Sequence, residues 1–375
     1  MRILIFNWRD IENPSRGGAE ILTHEIAKRW VLKGMEVVQF SSLFKGAAPE
    51  KNIDGVRVIR QGAADFSPFK LPVHIAAYYW YKKNSLDKKG KKFDLVIDEI
   101  HGLPFFTPLF VKEKKIALIC EVAQEIWDVN FRFPINKIGR LIENNYFRFY
   151  QNTPFLTISS STKKDLISKG LHEDMITILP MGLTLPKNIK RYPKEEIPTI
   201  VFVGRLTKAK GIEEAIRIIA LLKRSCPLIK FWIIGRGERS YESKLIKITE
   251  ELNLTLNIVF WGFVDETTKF ELMSRAHILL TTSVKEGWGL TVSEAGIVGT
   301  PVVAYEAGGL SDIIQNGING YLIPRNPNLV AKTLNSLLLN KDNYCKLQKG
   351  AETEAKKYNW DNTADKALQA IQKII

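Results

Sequence analysis

The sequence predicts an α/β protein made of two doubly wound parallel-sheet domains that face a cleft. Three observations carry that expectation. Short β-branched runs alternate with amphipathic helical segments along nearly all of the chain. The alternation halts once, at "GLTLPKNIKRYPKEEIP", and then restarts. At 375 residues the chain is also too long for one ordinary core.

In order, "RILIF" (2–6), "EVVQF" (36–40), "DLVI" (94–97), "KIALI" (115–119), "FLTIS" (155–159) and "MITIL" (175–179) read as strands buried on both faces. Helical patterns lie between several of them, such as 19–33, closed by Gly34. Residues 1–181 are therefore expected to form the first domain. Residues 182–198 hold three prolines, several charges and little apolar content, and read as a linker. Beyond it come "TIVFVG" (199–204), a helix from Gly211, "IKFWIIG" (229–235), "NIVFWG" (257–262), "HILLTTS" (277–283) and "PVVAY" (301–305). These make 199–357 the second domain.

Composition narrows the class. An apolar share of 45% with 25% charged residues is that of a globular protein in water. The net charge of +14 divides evenly, +7 in residues 1–180 and +7 in the remainder, which argues against a basic nucleic-acid-binding arm. "MRILIFNW" is cut short by Arg9 and Asp10, so it makes no secretory core. No run approaches the ~18 apolar residues of a membrane span. Cys120, Cys226 and Cys345 follow no metal-site spacing. A cytoplasmic location is the expectation.

In doubly wound sheets ligands sit beyond the carboxyl ends of strands. One such loop reads "KEGWGLTVSEAGIVGTPVVAYEAGG" (285–309). Glu286 falls in it, Leu290 or Thr291 begins a helix, and Glu294 lies about a turn inside. Gly287 and Gly289 let backbone amides approach a ligand, and a helix amino terminus attracts phosphate. A carboxylate suits sugar hydroxyls instead. Alone, Glu286 and Glu294 could equally be a solvated acid and a helix-dipole partner. "VFVGRLTKAKG" adds Arg205 and Lys210 at another strand end, where each charge-assisted bond to phosphate is worth roughly 1.5–3 kcal/mol. "SRGGAEIL" places Gly17 and Gly18 at a helix entry, a further amide nest. No Gly-x-Gly-x-x-Gly or P-loop pattern is present, and no Asp-x-Asp or His/Cys cluster suits a metal.

Taken together these residues resemble the retaining GT-B glycosyltransferases of the large E-x(7)-E family (glycosyltransferase family 4, glycosyl transferases group 1). The resemblance spans the chain. It rests on Glu286 and Glu294 inside "EGWGLTVSEAGIVGTPVVAYEAGGLSDII", with "GGAE" (17–20), "VGRL…KG" (203–211) and "NGINGYLI" (316–323) in the family's order. It implies that Glu286 contacts the donor hexose, with the amides of Gly287, Trp288, Gly289, Leu290 and Thr291 near sugar and phosphates. Glu294 would hold the ribose, Arg205 and Lys210 the diphosphate, and Gly17 and Gly18 would partner that clamp. Val264 sits where family members read the base, and His101 in "DEIHGLPFF" resembles the histidine near the reacting centre. Trp288 replaces a more usual phenylalanine. The family also sends its last helix back to the first domain, here about 358–375.

The implied activity is metal-independent transfer of a hexose from a UDP- or GDP-linked sugar to a hydroxyl, with retention and no cofactor. Stabilisation of the departing diphosphate is the main catalytic effect to expect. A glycan or lipid-linked acceptor is expected. "YYWYKKNSLDKKGKK" (78–92), with six lysines, one aspartate and four aromatics, suits peripheral contact with an anionic membrane, or else a solvated helix end. "FRFPINKIGRLIENNYFRFY" (131–150) is a second basic and aromatic segment. The alternatives are a nucleotide-sugar epimerase of the same architecture and a non-enzymatic binder of anionic polymers.

Overall fold

The structure is a computed structural model that describes residues 1–63, 72–86, 89–187 and 189–375. The chain divides into two compact units. One comprises Met1–Gln124, Lys137–Gly182 and Asn359–Ile375; the other comprises Glu125–Asn136 and Leu183–Tyr358.

The sheet of the first unit is formed by β1 (Arg2–Phe6), β2 (Glu36–Ser41), β3 (Glu50–Ile53), β4 (Val56–Arg60), β5 (Leu95–Ile100), β6 (Lys114–Ile119), β7 (Phe155–Thr157) and β8 (Ile176–Ile178). Its order is β3-β4-β2-β1-β5-β6-β7-β8, parallel throughout except for the β3–β4 pair. Leu4, Phe6, Val38, Phe40 and Val96 are buried together on one face, as continuous β-branched and aromatic runs under helices require. The sequence pattern does not reveal β3, because Glu50–Ile53 is polar and mostly exposed. Asp54 and Gly55 make its hairpin, both at positive φ (50° and 84°), the geometry an Asp-Gly turn favours.

The second sheet contains β9 (Thr199–Val203), β10 (Lys230–Ile234), β11 (Ile258–Gly262), β12 (Ile278–Thr281), β13 (Val302–Tyr305) and β14 (Gly320–Ile323). Its order is β11-β10-β9-β12-β13-β14, all parallel. Counted from β9 this is 3-2-1-4-5-6, the doubly wound dinucleotide order, with its switch point between β9 and β12. In the first unit the chain reverses direction across the sheet between β1 and β5. These two reversals select the loops in which chemistry is to be sought.

Two segments, Glu125–Asn136 and 183–198, group differently from the boundaries the sequence predicts, and the closing helix joins the first unit. Glu125–Asn136 groups with the second unit rather than with the rest of 1–181, and Lys285 Nζ lies 3.4 Å from Glu125 Oε2. The helix Trp360–Gln372 packs on the helix Gly18–Leu32, where Arg29 Nε donates to Asp361 Oδ1 (2.6 Å) and Trp30 Nε1 to Ala364 O (3.2 Å). Of the expected linker 182–198, residues 183–198, apart from Asn188, which lies outside the described residues, are strapped to the second unit. Tyr192 N donates to Ser274 Oγ (2.7 Å), and Lys194 Nζ to Ala276 O (2.6 Å) and Thr300 Oγ1 (2.7 Å).

The basic segment 78–92 is divided by the fold, and its Asp87 and Lys88 lie outside the described residues. On the helix Val73–Asn84, Tyr81 is buried with its hydroxyl on Glu113, and Trp80 packs against Phe40 at 5.4 Å. Half of its aromatic cluster is therefore spent on the core, which weakens it as a membrane belt.

Burial, with the nearby Arg191 charge, pushes the Lys194 amine down to about 7. His277, beside it, is pushed down to about 4 by burial and stays neutral through the same range. The unfolded chain keeps the Lys194 proton up to its ordinary pKa of about 10.4, so between these values the unfolded state binds more protons and stability rises with pH. Urea unfolding from about pH 7 to about pH 10 is expected to show this rise, and Lys194→Met to flatten it.

Candidate functional site

In the second unit the site is built by loops that glycine lets lie against one another. β9 and β12 pair directly, so the loops after them are neighbours. Val284 N donates to Ala209 O (2.8 Å), and Thr282 Oγ1 to Gly211 O (2.9 Å). Gly211 has φ +69°, and a Cβ there would sit 2.0 Å from Thr282 O, so no other residue permits this approach. The result is a contact across 76 residues: Lys210 Nζ lies 2.5 Å from Glu286 Oε1. Ser283 Oγ donates to the same oxygen at 2.7 Å.

The loop after β13 clamps Glu286 from the other side. Gly309 N donates to Glu286 O (2.7 Å), and a Cβ on Gly309 would come within 2.0 Å of Gly287 O. Gly289, at φ +98°, turns the chain into the helix Leu290–Ile297. The first amides of that helix have no intrahelical acceptor, which makes them anion donors.

Glu294, one turn inside, does not stand alone. Lys269 Nζ, from the helix Glu266–Arg275, donates to Glu294 Oε1 at 3.0 Å and pairs with Glu266 at 2.8 Å. The Lys269 and Glu294 side chains are only 13% and 14% exposed. Burial pushes the Glu294 carboxyl up, and the Lys269 charge offsets this only in part. Burial opposes the Lys269 charge, but Glu294 and Glu266 outweigh it and raise that amine. Val264 lies two residues before this helix. Lys269 escapes notice in the sequence because, three positions after Glu266, it reads as an ordinary surface pair.

Other expected residues divide. Arg205 is exposed on the loop after β9 and has no hydrogen-bond or ion-pair partner among the described residues. The Trp288 ring is buried edge-on against Tyr358 (5.3 Å, 90°), because a large indole gains most from leaving water. What the Gly287–Thr291 segment can present is thus backbone rather than the ring.

In the first unit, His101 closes β5 and Nε2 lies 3.0 Å from Glu99 Oε1. Glu99 is buried and also accepts from Asn7 Nδ2 (2.5 Å), at the end of β1, and from Thr23 Oγ1. His101 is thus held by a carboxylate rather than by backbone. Burial opposes its charge, but the bond to Glu99 and the Glu99 and Glu20 charges prevail and raise its pKa. Asp98 shapes the following loop by accepting from Phe105 N (3.1 Å), Thr107 N (3.1 Å) and Thr107 Oγ1 (2.8 Å). A signal for both acids stands in the sequence: an adjacent Asp-Glu inside a buried β run demands partners. At the entry to the helix Gly18–Leu32 the Gly17 amide donates to Glu20 Oε2 (2.6 Å).

Lys269→Met is expected to lower stability by about 1–3 kcal/mol at about pH 7, because it leaves a buried carboxylate unpaired. In that variant the folded carboxyl binds protons more readily than the unfolded one. Acidification to about pH 5 is therefore expected to shrink the deficit, as read by urea midpoints.

Residues 186–357 match the family described as "Glycosyl transferases group 1". An uncharacterized glycosyltransferase of Methanocaldococcus jannaschii is 28% identical over 99% of this chain and 98% of its own length. Among solved structures, sucrose-phosphate synthase from Thermosynechococcus elongatus superposes with a TM-score of 0.81 at 18% identity, covering 99% of this chain and 98% of that one. Anabaena HepE in complex with UDP-glucose gives 0.75 at 16% identity, with both chains fully covered. With its two doubly wound units the chain has the GT-B fold, and its residues 186–357 are similar to the glycosyl transferases group 1 family.

Proposed function

We propose that the chain is a retaining, metal-independent hexosyltransferase that uses a nucleotide-diphosphate sugar and a hydroxyl acceptor in a glycan or lipid-linked intermediate. One observation carries the reading most strongly. At the switch point of the second unit a lysine, a serine and a carboxylate meet beside the amino terminus of a helix. Such a place offers cations and amides to a diphosphate and an acceptor oxygen to sugar hydroxyls. A UDP-linked hexose is favoured as donor, because HepE holds UDP-glucose on a chain of the same fold.

In the proposed reaction the bond from the anomeric carbon to the β-phosphate oxygen breaks, and the acceptor oxygen bonds to that carbon on the same face. The acceptor's proton passes to the departing phosphate oxygen. Negative charge grows on the diphosphate as the bond stretches, and Arg205, Lys210 and the first amides of the Leu290–Ile297 helix stabilise it there. This substitutes for a metal. Glu286 holds a sugar hydroxyl and favours positive charge at the anomeric carbon. Glu294 accepts from the ribose hydroxyls, with Lys269 fixing its orientation. His101, oriented by Glu99, is assigned to contact with the transferred sugar.

Thermal denaturation with UDP-glucose, GDP-mannose and ADP-glucose tests the donor class. A native-state ligand at about a hundredfold its Kd stabilises by about 2.7 kcal/mol, so one of these is expected to raise Tm. Glu294→Ala is expected to remove that shift, and an unchanged shift would take Glu294 out of the site. Turnover with added hydroxyl acceptor in EDTA then separates the roles. Glu286→Gln is expected to reduce kcat by about 100-fold or more while Kd for the donor changes little. Equal losses in both would refute its role at the reacting carbon, and sugar interconversion without acceptor would identify an epimerase.

A further inference from the structure

Across 50 residues of the first unit, Asp10 and Arg60 form an ion pair shut away from water. The Arg60 side chain is 1% exposed and that of Asp10 is 0% exposed. Arg60 ends β4, and its guanidinium grips both carboxylate oxygens, Nε to Oδ2 at 2.8 Å and Nη2 to Oδ1 at 2.9 Å. Nη2 also donates to Glu12 Oε2 (2.9 Å) and Nη1 to Ala48 O (3.2 Å), while the guanidinium lies over the Phe44 ring at 5.2 Å. Such a pair is a poor source of stability. Taking two charges out of water can cost as much as their attraction returns, and apolar replacements are often neutral. A planar fork on two oxygens does, however, fix direction.

What it directs is the loop after β1, and that loop leads back to Glu99. Next to Asp10, the backbone N of Arg9 donates to Asn7 Oδ1 (3.2 Å). With Oδ1 so engaged, the Asn7 amide turns Nδ2 to Glu99 Oε2 (2.5 Å), and Glu99 Oε1 faces His101 Nε2 (3.0 Å). Carbonyls of the same loop are tied down from β2 and the residue after it. Trp8 O accepts from Ser42 N (3.1 Å) and Ser42 Oγ (2.7 Å), and Arg9 O from Gln39 Nε2 (3.2 Å). Asp10 also sets the turn beyond, its Oδ1 accepting from Glu12 N (2.9 Å) and its carbonyl from Asn13 N (3.0 Å). The Arg9 charge lies near enough to His101 to oppose its protonation.

We propose that Arg60 and Asp10 are positioning residues for the Glu99–His101 pair, acting through the Arg9 backbone and the Asn7 amide. In the order β4-β2-β1-β5 the Arg60 strand is three strands from the one that ends in Glu99 and His101, so the loop is the route between them. If the loop is released, Arg9 N leaves Asn7 and nothing selects which end of the amide meets Glu99. Its oxygen would there set one acceptor against another. Partners that orient a functional group in this indirect way are worth about 10–100-fold at metal sites. The inference rests on the sugar-transfer reading only in giving His101 a part in turnover.

The test separates an orienting pair from one that merely stabilises. Arg60→Met strands the buried Asp10 carboxylate and is expected to lower the urea midpoint. Arg60→Met combined with Asp10→Asn removes both charges and is expected to recover most of that loss. Turnover is not expected to follow. It is read as nucleoside diphosphate release from whichever of UDP-glucose, GDP-mannose and ADP-glucose raises Tm. In the double variant kcat is expected to stay about tenfold or more below wild type, with donor Kd changed by less than about threefold. A nuclear magnetic resonance titration, with His101→Gln to assign the signal, reads the cluster itself. His101 is expected to titrate at higher pH in the double variant, because Glu99 loses a donor and the Arg9 charge moves off. Arg60→Lys keeps the charge without the fork; it is expected to move both readouts the same way and serves if the neutral pair fails to fold. A kcat that recovers together with the urea midpoint would overturn the proposal, as would a His101 titration unchanged from wild type. An upward titration with wild-type kcat would uphold it and remove His101 from the sugar-transfer reading. If no nucleotide sugar raises Tm, that reading fails and the titration alone decides this one.

Discussion

The second unit's site depends on backbones meeting more closely than any side chain allows. Gly211 lies against Thr282 O and Gly309 against Gly287 O, each where an added Cβ would sit 2.0 Å from a carbonyl oxygen. These two contacts lock the loop after β12 between its neighbours after β9 and β13. Lys210, Ser283 and Glu286 meet as a consequence, and the helix amino terminus beside them is set by Gly289 at positive φ. Substituting any of these glycines would move the charged groups by moving the loop that carries them.

Each unit repeats one electrostatic arrangement at the place where its strand order reverses. In the second unit Glu286 is neutralised by Lys210. In the first, Glu99 is held by His101, Asn7 and Thr23. A carboxylate taken out of water is costly without partners, so a fold that keeps one at a strand end surrounds it with donors. Glu294 follows the same rule through Lys269. The acids are thereby oriented, a condition for accepting hydrogen bonds from hydroxyls.

Much of the fold was legible in the chain. The runs at 2–6, 36–40, 199–204 and 301–305 correspond to β1, β2, β9 and β13, because strands buried on both faces must be continuously apolar. The edge strand β3 was not, since an exposed edge imposes no such pattern. The stretch 182–198 looked like a free linker by its prolines and charges. Tyr192 and Lys194 instead tie it to Ser274, Ala276 and Thr300, contacts about a hundred residues distant or nearly so that composition does not encode.

By itself the sequence determined the two doubly wound units and the loops that bear Arg205, Lys210, Glu286 and Glu294. Local propensity and periodicity suffice for this, because both act over a few residues. Tertiary structure alone decided that Lys210 pairs with Glu286 across 76 residues and Lys269 with Glu294 across 25. It also turned Trp288 inward. Ion pairing falls away steeply with distance in water, and burial depends on every neighbouring element. Both are therefore properties of the assembled fold.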